Sequence, residues 1–342
     1  MSARNSIIPI FVPHCGCPNA CVFCNQRRIS GSLRPAEAGD VKKTIEEAAA
    51  LAPEGTKRQL AFYGGSFTAI PVPEQEALLA AAQPYLYSGF ITSLRLSTRP
   101  DAIDGETLLR LKRYGVETIE LGAQSMCDAV LAQAGRGHTA ADVVNAARLI
   151  KDAGFGLILQ MMTGLPGSSE DRDVDTAVQI AALSPDGVRI YPTVIVRDTV
   201  LYDLWSRGEY AEHTVEDAVC VCARIVPVFQ AAGIPIIRLG LNPTDDLSGG
   251  DAAGGAYHPA LGELVRGRIL RHRAQALLAG VAPGSDVVIG IGRRYVSQMV
   301  GQRGCNKNEL RAQFFLRSLK IAGTDAENDS VTILSVAKPT TL

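Results

Sequence analysis

His14-Cys15-Gly16-Cys17-Pro18-Asn19-Ala20-Cys21-Val22-Phe23-Cys24-Asn25 places three thiols within eight residues, spaced Cys17-x3-Cys21-x2-Cys24. Soft thiolates select zinc, copper(I) or iron-sulfur clusters, so the ligand count has to discriminate among them. A structural zinc site takes four closed ligands, usually as two separated pairs. The nearby fourth candidates are Cys15 and His14, on the approach to the triplet, and no second Cys-x2-Cys follows. A 4Fe-4S cluster normally takes four cysteines, so three would leave one iron open for a small molecule. From the triplet alone, a zinc knuckle or a set of unrelated thiols is the alternative.

At 342 residues the chain is long enough for one large α/β domain with a small appendage. No run of 18 apolar residues occurs, and the N-terminus lacks a basic region followed by an apolar one. Neither a membrane span nor a secretory signal is therefore expected, and the expected location is cytoplasmic. Eight cysteines, three of them clustered, fit metal binding in a reducing compartment better than a disulfide framework. Cys220 and Cys222 lie two apart in a helical pattern and do not share a face, so they read as packing thiols. The net charge of −1 hides an asymmetry: residues 261–320 carry eleven Lys/Arg against Glu263, Asp286 and Glu309, a net of +8. The rest of the chain then sums to −9. A basic C-terminal part favours a polyanionic substrate, and a solvated helix surface is the alternative.

Strand and helix patterns alternate along most of the chain. Ile7 to Val12 reads as a strand delivering the cysteine loop, and the next strand, Gln59 to Tyr63, ends at Gly64-Gly65-Ser66-Phe67. Ser93 to Thr98 leads to Arg99-Pro100-Asp101, and Thr118 to Gly122 leads to Gln124-Ser125. Leu157 to Met162 ends at Gly164-Leu165-Pro166-Gly167, Gly187 to Tyr191 completes a sixth unit, and Pro235 to Leu241 follows. Thr139 with Asp142 three positions on predicts a helix N-terminus. Such alternation implies an α/β fold: a partial parallel (β/α)6-type, TIM-like barrel with a small C-terminal α/β appendage. Functional groups in such barrels gather where strands end, so the cysteine loop and the strand-end motifs are expected at one mouth. The expected divisions are a barrel over 1–240, a loop and basic helix over 241–282, a small α/β unit over 283–336 and a frayed tail over 337–342.

The cysteine spacing, with Phe23 before its last thiol, resembles the signature of the radical S-adenosylmethionine (radical SAM) superfamily. There the open iron chelates the amino and carboxylate groups of SAM. The resemblance implies a 4Fe-4S cluster on Cys17, Cys21 and Cys24. Gly64, Gly65 and Ser66 resemble the glycine-rich segment that receives the methionine moiety. Ser97, Arg99, Gln124 and Arg136 would serve the carboxylate and ribose, since Arg forms bidentate carboxylate pairs and Gln both donates and accepts. Phe23 and Tyr191 are candidate adenine contacts, with Met161 or Met162 and Gly164 lining the same pocket; core packing is the alternative for the apolar ones. More narrowly, Phe62-Tyr-Gly-Gly-Ser-Phe-Thr68, Thr98-Arg-Pro-Asp101, Glu120-Leu-Gly-Ala-Gln-Ser125, Arg136-Gly-His-Thr139, Gly164-Leu-Pro-Gly167 and Ile190-Tyr-Pro-Thr193 resemble the radical SAM half of the catalytic subunit of Elongator. That family modifies wobble uridine in tRNA with acetyl-CoA held in a C-terminal acetyltransferase domain, which this chain is expected to lack. A more distant similarity is to oxygen-independent coproporphyrinogen oxidase.

The C-terminal order of strand, helix, Gly301-Gln-Arg-Gly304, helix, strand is that of a minimal KH module, whose Gly-x-x-Gly loop clamps a nucleic-acid backbone. Arg293, Arg294, Arg303 and Lys307 are the candidate RNA contacts; the alternative is a small cap or dimerisation unit. The expected function is reductive cleavage of SAM to a 5'-deoxyadenosyl radical for modification of tRNA or another RNA. An external one-electron donor of flavodoxin or ferredoxin type is implied. A small-molecule substrate, such as one of cofactor or porphyrin biosynthesis, and a noncatalytic iron-sulfur protein are the alternatives.

Overall fold

A computed structural model describes residues 5–12, 21–24, 34–51, 56–241 and 252–338. Cys15, Cys17 and His14 lie outside the described residues. Contacts divide the chain into two units, one of residues 1–214 and 225–257, the other of residues 215–224 and 258–342.

The first unit is built on a seven-stranded, fully parallel sheet curled into a partial barrel. Its strands are β1 (Asn5–Val12), β2 (Lys57–Gly64), β3 (Ser93–Thr98), β4 (Val116–Gln124), β5 (Gly156–Thr163), β6 (Gly187–Pro192) and, after a short β7 (Val194–Val196), β8 (Ile236–Leu239). Strand order follows chain order in the sheet, β1 through β6 and then β8. The crossover helices are α1 (Ala38–Leu51), α2 (Val72–Tyr87), α3 (Gly105–Arg113), α4 (Asp128–Gln133), α5 (Ala140–Asp152) and α6 (Glu170–Ala182). Helix α7 (Val200–Ser206) and α8 (Val215–Ala231) lie between β7 and β8. The expected capping box is present at α5: Thr139 Oγ1 accepts from the Asp142 N–H while the Asp142 carboxylate accepts from the Thr139 N–H.

The two faces of this sheet differ. Side chains alternate along a strand, and one set is apolar and buried: Ile8, Ile10, Leu60, Phe62, Leu94, Leu96, Ile119, Leu121, Leu157, Leu159, Val188 and Ile190. The other set includes Tyr63, Arg95, Glu120, Gln160 and Arg189, which are polar and hydrogen-bonded to one another. Parallel strands covered on both faces usually read as continuous apolar runs; here the second face carries polar side chains that bond across strands.

Two features depart from the expected order. The glycine-rich stretch read as loop contains a strand, β9 (Ala252–Gly255), antiparallel to β7. A Cβ at Gly255 would stand 2.7 Å from the Thr193 carbonyl oxygen, so only glycine allows this approach. The basic helix α9 (Leu261–Leu278), expected as a link, belongs to the second unit, where Leu270, Ala274 and Leu278 share a core with Val287, Ile289 and Leu310.

That unit continues with β10 (Asp286–Gly292), α10 (Val296–Val300), α11 (Cys305–Gln313), β11 (Ser318–Thr324) and β12 (Thr332–Ala337). The three strands form a sheet in the order β11-β10-β12, with β10 parallel to β11 and antiparallel to β12. Ala337, expected at the start of a frayed tail, instead pairs with Asp286 in this sheet; residues 339–342 lie outside the described ones. Among the described residues, no helix is long and apolar enough to cross a membrane.

Candidate active site

Cys21 and Cys24 sit on one turn, closed by a hydrogen bond from the Cys24 N–H to the Cys21 carbonyl at 3.0 Å. Backbone bonds pin this turn from two sides: the Val22 N–H donates to Ala134 at 3.1 Å, and the Leu201 N–H donates to Val22 at 2.8 Å. Phe23 is wedged between two apolar groups, one with Val130, Leu165 and Met162, the other with Ile195 and Leu201. The Cys21 thiol is buried and receives an N–H from Arg136 Nη1 at 3.3 Å.

Arg136 links this turn to the end of β4. Its Nη2 donates to the Gly122 carbonyl at 2.7 Å. Gly122 lets two side chains close over the strand: its Cβ position lies 2.9 Å from Gln124 Nε2 and 3.2 Å from Arg136 Nη2. Gln124 closes the strand at φ 65, a left-handed conformation that non-glycine residues seldom adopt. Its Oε1 is buried without a hydrogen-bond partner. A strained residue with an orphaned acceptor at a strand end is what a polar ligand would complete.

The other expected residues are distributed as follows. Gly64, at φ 99, and half-buried Gly65 turn the chain out of β2, leaving a side-chain-free edge before buried Ser66. Ser97 is half-buried on β3, its Cα partnering that of Glu120. Arg99, expected to contact ligand, forms a bidentate ion pair with Asp101 at 2.5 and 2.9 Å and donates to the Arg136 carbonyl at 2.9 Å. Gly164, expected to line a cofactor pocket, is covered by a ring: a Cβ there would meet His213 at 2.1 Å. The Gly164 N–H donates to Asp173 at 2.8 Å, and its carbonyl accepts from the Tyr210 hydroxyl at 2.6 Å. Burial pushes the Asp173 carboxyl up to about 6, against the hydrogen bonds from Ser168 and Gly164.

Sequence reasoning missed a layer of charge across the inner face. Glu120 is fully buried; its Oε1 accepts from Tyr63 Oη at 2.8 Å and Arg95 Nη1 at 3.0 Å. Its Oε2 accepts from Arg189 Nε at 2.8 Å and Gln160 Nε2 at 3.0 Å. Burial, with the Glu120 charge, pushes the Tyr63 phenol up to about 12 despite both arginines. Burial also raises the Tyr191 phenol, with Arg189 acting in the opposite sense. The signal was a polar residue at mid-strand in each of several otherwise apolar strands. His138 lies nearby, its ring nitrogen 3.2 Å from the Ala123 carbonyl; burial, then Arg136, holds its imidazole down to about 4.

The chain matches the Radical SAM superfamily over residues 11–179 and a Radical_SAM C-terminal domain over residues 185–271. It belongs to the radical SAM superfamily and is an enzyme of that class, whose members bind a 4Fe-4S cluster and SAM. Within that class it is homologous to the radical SAM region of Elongator complex protein 3; the human protein is 31% identical over 202 residues, 53% of this chain and 37% of that protein. The tRNA uridine(34) acetyltransferase of Methanocaldococcus infernus is 34% identical over 130 residues, 37% of this chain and 24% of that protein. In both cases the match covers well under two thirds of the relative. Archaeal Elp3 of the same organism shares the fold, with a TM-score of 0.62 at 21% identity over 84% of this chain and 71% of that one. So does coproporphyrinogen III oxidase of Escherichia coli, at 0.50 and 16% over 68% and 53%.

The described residues fit these cofactors. Cys21 and Cys24 offer two soft ligands on one turn, a guanidinium faces the Cys21 sulfur, and the Gln124 acceptor and the Gly64 edge stand at strand ends.

Proposed function

We propose that this enzyme modifies tRNA or another RNA by radical chemistry initiated within the barrel. Once bound and reduced by an external donor of flavodoxin or ferredoxin type, the cluster and SAM would supply a 5'-deoxyadenosyl radical. In this reading Cys17, Cys21 and Cys24 hold the cluster. Gly64, Gly65 and Ser66 receive the amino group, and Arg136 and Gln124 take the carboxylate and ribose beside Ser97. Phe23, Met162 and Tyr191 bound the adenine. Arg99 fixes the Arg136 backbone and Gly164 the loop under His213.

The observation that carries the RNA reading is the net +8 of residues 261–320 together with the Gly301–Gly304 turn. Both glycines have positive φ, 77 and 78, and Arg303 is exposed in the turn, with Lys307 in the first turn of α11. Arg293 pairs with Asp325, while Arg294 bonds the Glu327 carbonyl and lies over the Tyr295 ring at 4.7 Å, a platform on which a base can stack. The relative from Methanocaldococcus infernus bears a tRNA uridine in its name, which supports the same reading.

The test is anaerobic. Cluster-loaded, reduced protein is given SAM, and 5'-deoxyadenosine is measured with and without bulk tRNA, with Cys21→Ala as the control. Formation that needs Cys21 and rises with tRNA is expected. Formation indifferent to tRNA would remove the RNA substrate and leave the radical chemistry.

A further inference from the structure

The charge layer on the inner face is unbalanced. Tyr63 on β2, Arg95 on β3, Glu120 on β4, Gln160 on β5 and Arg189 on β6 form one hydrogen-bonded row across five consecutive strands. The in-register neighbour of Arg189 on β8 is half-buried Arg238, whose charge also acts on Tyr191. Its Nε and Nη2 donate to the Gly240 and Leu241 carbonyls at 3.0 and 3.1 Å, which leaves it without a carboxylate partner among the described residues. Three guanidinium groups against one carboxylate leave a net charge of +2 among these described residues.

A layer serving only stability has no use for that surplus, because buried charge is costly unless paired. Glu120 can give no more, since five donors already converge on two oxygens with about four lone-pair sites. The arginines can: Arg95 Nε is buried with no partner, and each guanidinium carries five N–H donors in a fork that matches planar oxyanions. Arg95 and Arg189 retain 11% and 13% exposure, so the layer is not sealed.

We propose that Arg95, Arg189 and Arg238 form an oxyanion subsite in the barrel interior, which takes a carboxylate or phosphate group of the molecule entering the chamber. Glu120 organises the subsite by holding Arg95 and Arg189 in place. This inference rests on the barrel being the reaction chamber. The subsite is separate from that assigned to SAM's own carboxylate, because Glu120 and Gln124 are four residues apart on β4, about 13 Å along a strand. The occupant is a group of the substrate or of a second small substrate.

The test uses the whole chain, cluster-loaded and with SAM, in thermal unfolding. Sodium acetate and, separately, inorganic phosphate replace chloride at constant ionic strength. A saturable rise in Tm with at least one of them is expected, acetate marking a carboxylate occupant and phosphate a phosphorylated one. Arg189→Gln and Arg238→Gln should each weaken the apparent affinity about tenfold, as loss of one charge-assisted hydrogen bond does. Glu120→Gln raises the layer's charge, so the anion should bind more tightly although the anion-free protein melts lower. A closed ion-pair network would behave in the opposite way. No saturable response in the wild type, or an unchanged one in both arginine variants, overturns the subsite. Weaker binding in Glu120→Gln does the same. SAM cleavage by the wild type, measured in parallel, separates the two failures: cleavage without an anion response sinks the subsite alone, and no cleavage by a reduced cluster sinks the chamber.

Discussion

Arg136 Nη1 stands 3.3 Å from Cys21 Sγ while Nη2 of the same guanidinium holds the Gly122 carbonyl at 2.7 Å. One planar side chain thus ties the thiol proposed as a cluster ligand to the strand end proposed for SAM. An N–H donor on a cluster sulfur stabilises the more negative, reduced form and so raises the reduction potential. Arg136→Ala should lower it by on the order of 60 mV, the one-electron equivalent of about 1.4 kcal/mol. An EPR-monitored redox titration reads this directly, and Arg136→Lys should recover part of the shift. An unchanged potential would mean that the guanidinium leaves the sulfur once the cluster is in place.

Glu120→Ala strands Arg95 and Arg189 beside each other without a counter-charge. Removing one partner of a buried pair costs about 3 kcal/mol, and the partial exposure of both arginines keeps the loss at that end of the range. The urea midpoint of the cluster-loaded protein measures it. A loss below about 1 kcal/mol would show that the arginines find other partners.

Gly164→Ala combines a left-handed φ of 71 with a collision against the His213 ring. The expected cost is about 1–3 kcal/mol, the range for overpacking. Adding His213→Ala removes the collision but not the backbone strain, so the double variant should recover most of the loss and not all of it. Full additivity of the two substitutions would contradict the contact.

Two buried groups impose opposite pH dependences. The His138 imidazole is depressed from 6.5 to about 4, so its contribution to stability is present above pH 6.5 and lost as pH falls through about 4. The Asp173 carboxyl is raised from 3.8 to about 6, so its contribution is present below pH 3.8 and lost as pH rises through about 6. His138→Gln should therefore flatten the acid-side fall in Tm, whereas Asp173→Asn should steepen the net dependence between pH 4 and 6. Parallel curves for wild type and both variants would refute the assignment.

In the second unit, Arg303→Gln with Lys307→Gln should weaken tRNA binding and reduce the slope of log K against log salt by about 2, one for each lost phosphate contact. Filter binding across a salt series provides the check. An unaltered slope would move the RNA contacts away from the Gly301–Gly304 turn.

The frame was legible because its signals are local. Alternating strands and helices gave the parallel sheet, Thr139 and Asp142 gave a helix start, and the strand ends gave the polar clusters of the site. What stayed hidden depends on partners distant in the chain. Arg95 looked like one polar residue in Ser93-Leu-Arg-Leu-Ser97, and only closure of the sheet brings Glu120 and Arg189 to it. Strand β9 was missed because Ala252-Ala-Gly-Gly255 carries no β-branched residue, and its pairing with β7 depends on close backbone approach. Helix α9 read as a linker because its charges dominate its composition, while its buried face of Leu270, Ala274 and Leu278 shows only against β10.

The Val22 peptide is a rung between Ala134 and Leu201. On the ribosome, its second support does not exist until synthesis has passed Leu201, long after the three thiols have emerged. Until α7 has docked, the Cys21–Cys24 turn is held from the Ala134 side alone, so substitutions that unseat α7 should loosen this turn without touching either thiol.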